Sequence, residues 1–191
     1  MAEPDVLHRT ELAAPGGRWL EPSGVFHLRG AVYTVTFANP AALGTFLDLY
    51  LSEADDTKVA RLHLTAEGTG LPAANLRFQL SRAHQIAAGV LIAMDADGYR
   101  HSWMTHGDAG PANVLLAHDT WHPLETALPP ESFITIAQLR TVLGQWAFGD
   151  TLPPPAVRWR SVRGVGRFCS TFSRKRVRSV PRTIPALLSP P

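Results

Sequence analysis

Four histidines, His101, His106, His118 and His122, fall in one third of the 191-residue chain, and Asp119 stands among them as a possible fifth ligand. His118-x3-His122 has the spacing of two metal ligands on one helix face. Trp121-His122-Pro123 does not favour a regular helix, however, and no Glu follows the first His as in a zinc hydrolase motif. Two polar loop histidines are therefore the preferred reading, and no metal or other cofactor is expected. Asp95-x-Asp97-Gly98 resembles part of a calcium loop but lacks the third oxygen ligand and the distal Glu; a hairpin turn accounts for it. Ser102 with His101 or His106 and Asp108 has the residue types of a hydrolase. Yet Ser102 sits in the middle of an alternating stretch, not on a strained turn. The lone Cys169 has no His after it, and Gly68-Thr-Gly70 lacks the Lys-Ser/Thr of a phosphate loop. With no complete catalytic set, binding is favoured over catalysis.

The elements that would carry these residues are legible from apolar periodicity. Residues 1–24 are rich in Pro and Gly and are read as a flexible lead-in. Residues 31–37 alternate as a strand; Asn39 then caps and Pro40 opens a helix with Leu43, Phe46, Leu47, Tyr50 and Leu51 on one stripe. Residues 58–65 return as a strand with Ala60, Leu62 and Leu64 opposed to Val59, Arg61 and His63. Leu76, Phe78 and Leu80 alternate with Arg77, Gln79 and Ser81, which predicts one wet face. Residues 89–94 are apolar on both faces, as in a central strand. Gly98 supplies a hairpin turn, and Tyr99, His101, Trp103 and Thr105 share one face of the next strand. Residues 113–117 form a further strand, and residues 118–130 are irregular.

The stretch 129–160 is the best signalled of all. Thr135-x-x-Gln138 is a capping box, with Ile134 and Leu139 placed as a hydrophobic staple. Ile136, Leu139, Leu143 and Trp146 give one apolar stripe; Gly149 and Pro153, Pro154 and Pro155 then stop the helix, and the chain re-emerges as a strand ending on Trp159. The order β-α-β-β-β-β-β-α-β predicts an α+β domain over 25–160: one mainly antiparallel sheet of about six to seven strands, with two helices on one face.

Charge divides the chain. Residues 1–157 hold nine basic residues against sixteen acids, a net of −7, whereas residues 158–191 hold nine basic residues and no acid. Residues 161–191 are therefore read as a basic, disordered tail, able to meet phosphate backbones only in a nonspecific, salt-dependent way. No run approaches the ~18 apolar residues of a membrane-spanning helix. A single cysteine and an N-terminus without an apolar run fit a cytoplasmic protein.

Residues 31–160 resemble the immunity protein 1 family of bacterial polymorphic toxin systems. The resemblance rests on an ordered set: Gly89-Val-Leu-Ile92, the Asp95-x-x-Gly98 hairpin, Ser102-Trp103, a loop at Gly107, Pro130-x-Ser132 entering the helix, and the Pro-rich link to Val157-x-Trp159. The lead-in and the arginine-rich tail lie outside it. It implies a cytoplasmic antidote that binds a cognate, nucleic-acid-targeting toxin domain, deaminase-like in type, and blocks its active site without chemistry of its own. An acidic domain would suit the basic groove of such a toxin. Asp95, Asp97, Asp108, Asp119, Trp121 and Glu125, read as loop residues around Trp121, are the expected contacts. The alternatives are a nucleic-acid-binding regulator acting through the tail and a small hydrolase.

Overall fold

The computed structural model describes residues 6–12, 20–65, 72–108, 110–111 and 113–162. Gly68–Gly70, Cys169 and the arginine-rich run lie outside them. Two antiparallel strands come first in the main sheet, β2 (Ser23–Leu28) and β3 (Ala31–Thr36), after a short β1 (Leu7–His8) and the single turn α1 (Arg9–Leu12). Helix α2 (Pro40–Glu53) leads to β4 (Ala60–Thr65), β5 (Pro72–Ser81), β6 (Ile86–Met94) and β7 (Arg100–His106). A covering segment carries β8 (Leu116–Ala117), β9 (Ala127–Leu128) and a 3-10 turn (Pro130–Ser132). Then follow β10 (Ile134–Thr135), α3 (Ile136–Phe148), β11 (Thr151–Leu152) and β12 (Arg158–Ser161).

The sheet runs β12-β7-β6-β5-β4-β2-β3 with every neighbour antiparallel, and β10 pairs with β6 as an eighth strand. The α+β expectation holds, but two strands of the sheet, β2 and β10, are not among those expected, and the one expected over 113–117 lies outside it, paired with β9. Strand β2 turns Gly24, Phe26 and Leu28 to the core and Ser23, Val25 and His27 outward. It inserts between β3 and β4, so the chain makes a split β-α-β through α2. The β2–β3 turn is Arg29-Gly30, both at positive φ (49° and 75°) as a two-residue hairpin of the right twist requires. Arg29 is also tied to Glu53 at the end of α2.

The lead-in is not wholly loose either. Leu7–His8 pairs with Thr151–Leu152, and Leu12 is buried in the main core. The strand expected over 113–117 shrinks to Leu116–Ala117.

Both helices form as their caps dictate. The Asn39 side chain accepts from the Ala42 amide at 2.9 Å, and Thr135 and Gln138 complete a reciprocal capping box. Their stripes bury Leu43, Leu47 and Tyr50 from α2 and Leu139, Leu143 and Trp146 from α3 against one face of the sheet. Phe26 is the hub of an aromatic group there, with ring centres 4.7 Å from Phe46 and 5.0 Å from Tyr50 in edge-on geometry. Trp159 closes the core, its indole donating to the Pro154 carbonyl at 2.7 Å.

The opposite face departs from expectation. Arg77 and Gln79, read as a wet face, are buried. The covering segment lies over β5, β6 and β7, and Ala88, Val90, Ile92 and Met104 form a second core with Leu116, Leu128 and Phe133. Gln79 is paid for by its partners: its amide donates to the Asp56 carbonyl at 2.6 Å and its oxygen accepts from the Ala117 amide at 2.7 Å. Thr105 fixes the other end of the segment, donating to the Ser132 carbonyl at 2.7 Å. Gly107 is obligatory beside it, because a Cβ there would run into the Phe133 carbonyl, while its amide donates to Glu131 at 2.9 Å.

Two glycine substitutions should therefore move stability in opposite directions. Gly107→Ala should cost about 2 kcal/mol or more by displacing the covering segment. Gly144→Ala, in mid-helix with open space around the added methyl, should stabilise by about 0.5–1 kcal/mol. Urea unfolding of both variants measures this.

Candidate functional site

The edge of the covering segment is a loop, 118–126, and beyond it no other described segment covers the outer face of β4, β2 and β3. The loop is braced from within. Asp119 accepts from the Trp121 amide at 2.8 Å, Thr126 donates to the His122 carbonyl at 2.6 Å, and the His118 and Thr126 amides donate to Thr126 and His122. Thr120 ties it to the sheet by accepting from the Val59 amide at 2.9 Å. So anchored, the loop holds Trp121 at 81% exposure and Leu124 at 80%. Trp121 and Leu124 are the most exposed large apolar side chains among the described residues.

Beside Trp121 lies a hollow of about 530 Å³ floored by the outward side chains of β2, β4 and β5. Strand parity explains its lining. Ala60, Leu62 and Leu64 turn to the helices, so Arg61 and His63 turn outward. Register then sets Arg61 directly opposite Arg77, and His63 opposite Asn75. Lys58 and His27 complete the rim. Among the described residues no acidic side chain lines the hollow. A like-charged pair facing across two strands is an unfavourable placement for stability, which makes the Arg61–Arg77 juxtaposition notable.

The histidines register this field. Burial first, then Arg61 and Arg77, push His63 down to about 4, and it stays neutral with its Nδ1 3.0 Å from the Asn75 amide nitrogen. Burial and Lys58 lower His27, with Asp55 opposing and Arg61 adding to the effect. Burial and then Arg77 lower His118, with Asp119 opposing.

The expected contact residues do not gather in one place. Asp119, Trp121 and Glu125 share the loop, but Asp119 is buried and engaged in bracing it. Glu125 is exposed beside His122. Asp95 and Asp97 occupy the β6–β7 hairpin, and Asp108 follows the far end of β7, a separation on the order of 20 Å along the strand. Asp95 is the hairpin's organiser: its carboxylate accepts from His101 at 2.9 Å, Tyr99 at 2.8 Å and Asp97 at 3.1 Å, and these bonds, His101 foremost, hold it below the usual carboxylate range. Asp108 faces Arg158 at 3.7 Å. The hollow beside Trp121 is thus lined by basic side chains, while Glu53 pairs with Arg29, Asp56 with Arg82 and Asp48 with Arg140 elsewhere.

The catalytic sets do not assemble. His101 and Ser102 are strand neighbours and point to opposite faces; His101 stacks on the buried Trp103, ring centres 5.7 Å apart. His106 lies four residues beyond Ser102, out of hydrogen-bonding reach along an extended strand. Among the described residues no three His, Cys, Asp or Glu side chains converge as metal ligands. A second hollow, of about 570 Å³ and mostly apolar, runs between the edge strand β3 and α2, past Tyr33, Val35, Phe46 and Leu49. Among the described residues no helix is long and apolar enough to cross a membrane.

Because the folded state holds His63 below its unfolded value of 6.5, the unfolded chain binds the extra proton between about 4 and 6.5. Stability should therefore be intact above pH 6.5 and fall as pH drops through that window, by up to about 3 kcal/mol from His63. Urea titrations at pH 7 and pH 4.5 should show a smaller difference for His63→Gln, which keeps an acceptor for Asn75, than for the unaltered chain.

Compared with known proteins, the chain matches no family model, no curated protein and no solved structure.

Proposed function

We propose that this chain is an immunity protein: a binding protein that neutralises a cognate polymorphic toxin domain, nucleic-acid-targeting and deaminase-like in type, by covering its active site in the cytoplasm of the producing cell. The observation that carries the reading is the braced loop 118–126 with Trp121 and Leu124 held in water beside a lined hollow. An anchor of this kind is what a tight protein interface uses: a large aromatic that loses little conformational freedom on docking, with an arginine beside it. The residues that carry the family resemblance support the reading in a different way. Gly107, Ser132, Trp103 and Trp159 are buried or sterically confined, and they hold the covering segment and the closing strand on the sheet. They build the platform from which the loop projects, leaving the loop itself to suit a particular partner.

The test is coexpression with the toxin domain encoded by the neighbouring gene. Growth inhibition should be relieved and a complex should copurify. Trp121→Ala should weaken that complex at least about tenfold, as truncation of a central aromatic anchor does, with thermal stability unchanged since the side chain is exposed. Persistent growth inhibition with no copurifying complex would show the reading to be wrong.

A further inference from the structure

The hollow beside Trp121 has a chemistry of its own. Lys58, Arg61 and Arg77 direct three cationic side chains to one outward sheet surface, and no carboxylate of the described residues lines it. Among the described residues Lys58 and Arg61 enter no ion pair, whereas Arg29, Arg82, Arg140 and Arg158 all do. Asp55 is the acid felt at the Lys58 and His27 rim, and its side chain is occupied with the Thr57 amide and hydroxyl. Asp119, on the loop side, spends a carboxylate oxygen on the Trp121 amide. Register sets Arg61 opposite Arg77, and a carboxylate laid against Arg61 forms a charge-assisted hydrogen bond there. Exposed Val32 and Trp121 border the same surface, an apolar margin around the charged floor.

We infer that this face receives a short acidic segment of the partner protein, its carboxylates paired with Lys58 and Arg61 over the Arg77 floor and its backbone covered by Trp121. The inference rests on the antidote reading for the identity of the partner as a protein, and it deepens that reading by giving the partner's contact element its chemistry. It also reverses the expectation drawn from net charge, that an acidic domain meets a basic groove. Two observations favour carboxylates on a protein over phosphates on a nucleic acid. Residues 1–157 carry a net charge of −7, so a polynucleotide that extends past the hollow meets a repulsion that grows with every phosphate outside it. Among the described residues lining the hollow Trp121 is the one large aromatic, a single stacking position and not a platform for successive bases.

Fluorescence anisotropy with a labelled peptide of alternating Asp and Glu, and separately with labelled oligo-dT, tests this on the full chain. Arg61→Glu and Lys58→Glu should each weaken peptide binding at least about tenfold. Arg160→Glu, the same charge change on the opposite edge strand, should leave it within about twofold. The tail is common to all three variants, so these differences belong to the sheet face. Peptide affinity equal in Arg61→Glu and the unaltered chain overturns the inference, as does oligo-dT being the probe whose affinity those substitutions reduce. Thermal unfolding of each variant reports that it is folded, and Lys58→Glu, at the rim, serves if Arg61→Glu does not fold. Toxin coexpression separates the two proposals. If the unaltered chain and Arg61→Glu protect equally well, the acidic-segment inference falls and the antidote reading stands. If the unaltered chain does not protect, the antidote reading falls, and the peptide measurement alone decides whether the face takes carboxylates.

Discussion

Strand β6 has no polar face. Ala87, Leu91 and Ala93 enter the core under the helices, and Ala88, Val90 and Ile92 enter the second core under the covering segment. A strand buried on both sides forces the protein into layers, since either face left in water would forfeit about 25 cal/mol per Å² of apolar surface. The two helices satisfy one face. The other is satisfied by a segment with almost no regular structure, held by Gln79, Thr105 and the close contact at Gly107. The cover needs to extend only as far as the apolar surface does. It stops over β5, because β4, β2 and β3 turn polar side chains outward, and the loop carrying Trp121 is the edge of the cover.

The site is thus a boundary between a buried half-face and an open one, and its electrostatics follow from that position. Arg77 lies on the covered side of the line and Arg61 on the open side, yet register makes them direct neighbours. The low dielectric under the cover strengthens the field of Arg77 at the hollow, and after burial itself that field helps to lower His63 and His118. A sequence total of −7 over residues 1–157 says nothing about this, because the acids are distributed to helix ends and hairpins where arginines or backbone amides already hold them.

What could be read before folding was what is local. The Asn39 and Thr135 caps, the Gly98 hairpin, the two-faced apolarity of 89–94 and the outward parity of Arg61 and His63 each depend on neighbours within a few residues, and each has its structural counterpart. Strand β2 was equally local, with Gly24, Phe26 and Leu28 in clean alternation, but Pro22, Gly24 and Gly30 disguised it as loop. The wet face assigned to Arg77 and Gln79 failed for a different reason. Only a distant, aperiodic segment buries them, and no window of sequence around 76–81 contains that information. The basic hollow is of the same kind, since it needs the β4–β5 register and the placement of Trp121, which are tertiary facts.

The distribution of roles follows the same division. Gly107, Ser132, Trp103 and Trp159 secure the cover and the closing strand, and a change at any of them disturbs packing against backbone. Trp121, Leu124 and Arg61 are set on that frame but support none of it: the first two are largely in solvent, and the third loses an unfavourable neighbour when replaced. Such positions can vary without unfolding the domain. If these positions are the binding determinants that the antidote proposal makes them, they could follow a changing partner at little cost to stability, provided the loop bracing through Asp119, Thr120 and Thr126 is kept. The tight internal bonding of an otherwise irregular loop is the feature by which, on that proposal, an exposed tryptophan would act as a fixed anchor.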